Sequence, residues 1–84
     1  MQTIHKFIVS VADDVSVEMP EGAEFCHVAS QSMMEIAVWM LVNTEARLVS
    51  TPFKVRGTGH PLQGCGNYLG TAVGNPYVWH LFRP

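Results

Sequence analysis

The sequence predicts a mainly β domain, a small antiparallel β-sandwich or barrel-like sheet of six or seven short strands. Three observations carry that prediction. Short segments rich in β-branched and aromatic residues alternate apolar and polar positions with the two-residue period of a strand. Turn-forming clusters of Pro, Gly, Asp and Asn separate those segments at short intervals. The chain has 84 residues, which at this size buries somewhat more than roughly 60% of its unfolded surface and so supports one core, a single domain over residues 1–84.

The elements follow in order. Residues 3–11 alternate Ile4, Lys6 and Ile8 with His5, Phe7 and Val9, an opening strand. Asp13 and Asp14 supply turn chemistry, and residues 15–19 place Val15, Val17 and Met19 on one face, so the two strands are expected to form a hairpin. Pro20, Glu21 and Gly22 make the next turn and lead into a third strand over residues 23–30. Residues 33–42 are ambiguous: Met33, Ile36, Ala37, Met40 and Leu41 fit a helical stripe, whereas Val38, Trp39 and Val42 prefer a strand. A buried strand is favoured because Asn43 and Thr44 close the segment early, with one short helix as the alternative. Residues 47–56 again read as a strand, with Phe53 and Val55 inward and Lys54 and Arg56 outward. Pro52 in it should sit at an edge, a bulge or the strand start. Four glycines in residues 57–66 mark a loop, and two last strands, 68–73 and 77–82, flank the turn at Gly74, Asn75 and Pro76.

Charge is sparse and uneven. Apolar residues make up 48% of the chain and charged ones 14%, so some apolar surface is expected to stay exposed or to meet a partner, a second copy included. The formal net charge of −2 points to neither nucleic acid nor a membrane. All seven acids precede residue 46, while Arg47, Lys54, Arg56 and Arg83 follow it. Two readings result: the halves neutralise each other across a sheet, or the basic half forms an anion site. No apolar run reaches the length of a membrane span and the N-terminus lacks a signal-peptide core, so a cytosolic protein with Cys26 and Cys65 as free thiols is expected.

The chemical candidates are few. His5, His27, His60, His80 and the two cysteines lack the close ligand pairs of a structural zinc site, and neither metal nor cofactor is expected. Cys65 with His60 imitates a thiol nucleophile and its base but has no acid nearby in sequence, so an enzyme is not expected. Gly57, Thr58, Gly59 and His60, with Lys54 and Arg56 before them, are the candidate ligand- or partner-binding residues. Their backbone N–H groups could cradle a phosphate, although each glycine equally suits a turn. Tyr68, Tyr77, Trp79 and Phe82 suit either a base-stacking platform or the core, and Trp39, Met33, Met34 and Met40 suit the core or an apolar contact surface.

Five motifs occur in the order TIHKF, MPEGA, FKVRGTGHP, YLGT and VWH, at residues 3–7, 19–23, 53–61, 68–71 and 78–80. In this ordered set the chain resembles an uncharacterised family of short phage and prophage proteins, over nearly its whole length. It departs from that pattern in its methionine-rich centre, in Cys65 and in its Arg83-Pro84 end. The resemblance implies a phage accessory protein acting on something in the host and transfers no catalytic residue. The expected function is therefore a non-enzymatic protein of the host cytoplasm that binds and inhibits a host protein or complex, in the manner of an anti-defence or anti-CRISPR protein. The alternatives are a sponge that sequesters an anionic nucleotide signal at Lys54, Arg56, Thr58 and His60, and a virion or assembly component.

Overall fold

The computed structural model describes residues 1–84 and contains seven strands and no helix. They are β1 (Gln2–Ser10), β2 (Asp14–Pro20), β3 (Glu24–Ser32), β4 (Glu35–Asn43), β5 (Leu48–Gly57), β6 (Asn67–Val73) and β7 (Val78–Arg83). Two antiparallel sheets form, a three-stranded sheet in the order β1-β4-β3 and a four-stranded sheet in the order β2-β5-β7-β6. The ambiguous segment resolves as β4, the central strand of the first sheet. Ile36, Val38, Met40 and Val42, buried at every second position, leave no stripe for a helix to present.

One expected pairing is not formed. β1 and β2 follow each other through the Asp13 turn, yet β1 pairs with β4 and β2 with β5, so the turn carries the chain from one sheet to the other. The reason lies in the two faces of β1. Phe7 and Val9 must pack inward, and a two-layer core is closed by stacking β2 over them rather than beside them. The hairpins that do form are β3-β4, around Met33 and Met34, and β6-β7, around Gly74, Asn75 and Pro76.

Pro52 lies in an interior strand without breaking a ladder. The Val55 N–H donates toward β2, at the Asp13 carbonyl, and alternation turns position 52 toward the opposite side. There β7 accompanies β5 only along residues 54–57, so the missing donor falls beyond its end.

The core lies between the sheets. Phe53, Met19, Ile36, Met40, Leu81 and Val38 are its largest fully buried side chains. Gly70 allows the sheets to approach, since a Cβ there would stand 2.9 Å from Cγ1 of Val28 on β3. Gly66 has a different constraint. Its φ is +84° and a Cβ would collide with the backbone of Arg83 and Pro84, so the loop between β5 and β6 is held against the end of β7.

Gly22 has a similar φ of +81° with open space around it. Gly22→Ala should therefore cost about 1 kcal/mol, the left-handed penalty alone. Gly66→Ala should cost at least about twice that, lowering the midpoint by roughly 8 °C or more in a thermal melt. Equal losses at the two positions would show that the loop does not rest on the β7 end.

Candidate functional site

The basic strand is where charge complementarity is resolved. On the outer face of the four-stranded sheet, Asp14 of β2 is the register partner of Lys54 on β5, and Lys54 Nζ lies 2.5 Å from Asp14 Oδ1. Arg56 donates through one terminal nitrogen to the Asp13 carbonyl at 2.7 Å and to that of Val55 at 3.0 Å. The hydrogen bond from Lys54, with its charge second, holds the exposed Asp14 carboxyl below the usual carboxylate value; Arg56 adds a smaller pull. Arg47 and Glu21 form a further pair, so the acidic and basic halves neutralise each other across the fold. Of the two cations of the anion-site reading, Lys54 is paired with the Asp14 carboxylate, whereas Arg56 is held by the backbone carbonyls of Asp13 and Val55.

The glycine turn stands next to this strand and has its own internal bonds. The Gly57 N–H donates to His60 Nδ1 at 3.3 Å, while the His60 N–H donates back to the Gly57 carbonyl at 3.1 Å. A Cβ at Gly57 would stand 3.0 Å from His60 Cε1, so only glycine lets the imidazole fold back over the strand end. Two of the N–H groups proposed for a phosphate, those of Gly57 and His60, are therefore already engaged.

Behind the turn a chain of polar side chains crosses β7. His80 is the register partner of Arg56 on one side and of Thr71 on the other. Its Nε2 lies 2.8 Å from Thr58 Oγ1 and its Nδ1 2.9 Å from Thr71 Oγ1, which in turn is 2.5 Å from the Tyr68 hydroxyl. Two hollows open on either side of the turn. One, of about 290 Å³, is lined by Thr58, His60, Leu62, Tyr68, His80 and Phe82 among others. The other, of about 500 Å³, is bounded by Thr58, His60, Pro76, Tyr77 and Trp79. Of the six candidate residues, Gly57, Thr58, Gly59 and His60 line these hollows. Arg56 lines neither, and Lys54 faces a separate shallow depression of about 160 Å³ beside Asp14, Ser16 and Pro52.

The remaining candidates disperse. Cys65 is buried beneath the loop and Cys26 is exposed on β3, so the thiol paired with His60 in the sequence reading is not open to a substrate. No three of the His, Cys, Asp and Glu side chains converge on one point. The aromatic group divides. Tyr68 and Tyr77 are exposed, Phe82 is buried with its ring 5.6 Å from that of Tyr68, and Trp79 packs against the core. Met40 is in the core, whereas Met33 and Met34 are exposed at the β3-β4 turn.

Sequence reasoning missed two groups. Thr71 and His80 lie nine positions apart and meet only through the β6-β7 register, for which single residues give no signal. The outer face of the three-stranded sheet was also missed. Ile4, Lys6 and Ile8 of β1 stand opposite Leu41, Trp39 and Ala37 of β4, with His27 and Ala29 of β3 on the far side. The signal was present in the apolar residues on both faces of β1 and β4, but which face would be covered depends on the partner sheet.

A family model described as a domain of unknown function, DUF7352, matches residues 1–84. No curated protein and no solved structure matches the chain.

Lys54→Met should raise the titration midpoint of Asp14 toward the ordinary carboxylate value of 3.8, as read by NMR of the side-chain carboxyl. The sign for stability follows from linkage. A carboxylate depressed by folding stabilises above its unfolded value, and that contribution fades as pH falls through the folded value. Any stability difference between wild type and Lys54→Met should thus be present at neutral pH and shrink in strong acid. An Asp14 titration unmoved by the substitution would dissolve the pair.

Proposed function

The chain belongs to the DUF7352 family of domains of unknown function, and from the apolar face that its three-stranded sheet leaves bare we propose that it is a non-catalytic binding module acting by occupying the surface of another protein. The single observation behind this reading is that face. Ile4 is 49% and Ile8 45% exposed, although both sit on a strand whose neighbours are apolar. Trp39 stands at the centre between its cross-strand neighbours, with Lys6 Nζ 5.8 Å from its ring centroid and the His27 ring 5.6 Å away. An exposed apolar patch rimmed by polar groups is characteristic of association sites, and tryptophan is enriched among residues that dominate binding energy.

Two further points support the proposal. The buried Cys65 thiol and the His80 imidazole, both of whose nitrogens meet threonine hydroxyls, are poorly placed for nucleophilic or base chemistry. The motif resemblance to short phage and prophage proteins favours a phage accessory protein. Its partner is then a host factor of the cytoplasm, a defence component such as a CRISPR effector being the type of target that such a surface blocker would serve.

The test uses tagged protein in host lysate together with an Ile4→Ser/Ile8→Ser variant. Both positions are exposed, so the fold should survive, as an unchanged thermal midpoint would verify. Wild type should retain one host protein stoichiometrically, and the double variant should bind it at least about tenfold more weakly, the loss of roughly 1.4 kcal/mol of apolar contact. Equal capture by both proteins would remove this face from the account. Recovery of the protein in purified virions without a host partner would favour an assembly role instead. A mass that doubles with concentration in light scattering for wild type alone would identify a second copy as the occupant.

A further inference from the structure

The hollow behind the glycine turn carries a second inference, independent of the Trp39 face because it lies on the outer surface of the other sheet. We propose that it binds an uncharged, planar heteroaromatic molecule of fused two-ring size, such as a purine base, between Phe82 with Tyr68 on one side and the His60 arm of the turn on the other.

The argument begins with the polar chain. Each of its internal links has only one proton to share, so the Thr58–His80–Thr71–Tyr68 chain can be filled in two ways. With the imidazole proton on Nε2, His80 donates to Thr58 Oγ1 and accepts from Thr71, which accepts from Tyr68. The Thr58 hydroxyl is then a free donor and the Tyr68 oxygen a free acceptor. With the proton on Nδ1 every link reverses, so Tyr68 becomes the free donor and Thr58 the acceptor. In both cases the hollow offers one donor and one acceptor at opposite ends, and their polarity switches together. Thr58 follows β5 and Tyr68 lies on β6 with β7 between them, so the two ends stand across a strand from each other, a spacing suited to a fused ring with polar atoms on both edges.

The remaining lining agrees. Phe82 and Leu62 supply apolar surface and Tyr68 an aromatic edge, which suits the face of a π-system. Because His60 Nδ1 accepts from the Gly57 N–H, a neutral His60 carries its proton on Nε2, a third group free to donate. The volume of about 290 Å³ lies at the small end of ligand pockets, large enough for a base and too small for a polyphosphate chain beside it. Charge decides the class: Lys54 is paired with Asp14, Arg56 is held by backbone carbonyls, and no lysine or arginine side chain lines this hollow. A phosphate would gain little here, unlike in the sponge reading of the sequence.

The experiment is an NMR titration of the full chain with adenine, hypoxanthine, adenosine and adenosine monophosphate, following the side chains of His80, Tyr68 and Phe82. At least one of the uncharged probes should shift these resonances with saturation, and the monophosphate should bind no more tightly than adenosine. Thr58→Val and Tyr68→Phe should each weaken that binding about tenfold, with the thermal midpoint confirming an intact fold, whereas Lys54→Met should leave it unchanged. The proposal is overturned if no uncharged probe shifts these resonances at millimolar concentration. It is overturned equally if binding requires the phosphate and falls with Lys54→Met, which would restore the anion site. Loss of this binding would leave capture through the Trp39 face untouched, so the two proposals fail separately.

Discussion

Everything in this fold depends on the inner faces of two sheets packing together through side chains contributed by strands distant in sequence. Phe53, Val55 and Leu81 come from the second half of the chain, and Ile36, Val38, Met40 and Met19 from the first. Neither half has a core alone, and a pair of strands without a covering layer is marginal in water. The crossings of the chain from β1 to β2, back from β2 to β3 and again from β4 to β5 are the topological consequence. The sheets meet where β1 and β4 face β2 and where β3 faces β6, and Gly70 lets β6 come close to Val28 there.

Electrostatics follow from that topology. Strands of opposite sign are brought together, β2 with its Asp14 beside β5 with its Lys54, and Glu21 near Arg47. Exposed pairs of this kind contribute little to stability, because solvent screens them. Their larger effect here is to remove local net charge from the outer face of the four-stranded sheet. What lines the hollows beside the glycine turn is polar and aromatic, with no lysine or arginine side chain.

The molecule thus has two unlike outer faces. The three-stranded sheet presents exposed Ile4 and Ile8 beside a half-buried Trp39, with Lys6 and His27 against its ring. The four-stranded sheet is crossed by the loop that begins at Gly57, which turns part of its surface into hollows of small-molecule size. Gly66 is the residue that fixes the loop there, since its backbone meets the end of β7.

By itself the sequence determined the strands. The two-residue alternation in residues 3–11, 15–19 and 47–56, and the Pro-Gly and Asn-Pro turns, located β1, β2, β5, β6 and β7 to within one or two residues, because these signals are local. It also placed Phe53 and Val55 inside and Lys54 and Arg56 outside. Partnership was decided only in three dimensions. That β1 meets β4 rather than β2, that His80 lies between Thr58 and Thr71, and that Arg56 is engaged by the Asp13 carbonyl all arise from register between segments far apart in the chain. The same holds for Ile4 and Ile8: alternation shows that they share a face, but only the position of the second sheet leaves that face bare, since burial belongs to the assembled layers and not to the strand.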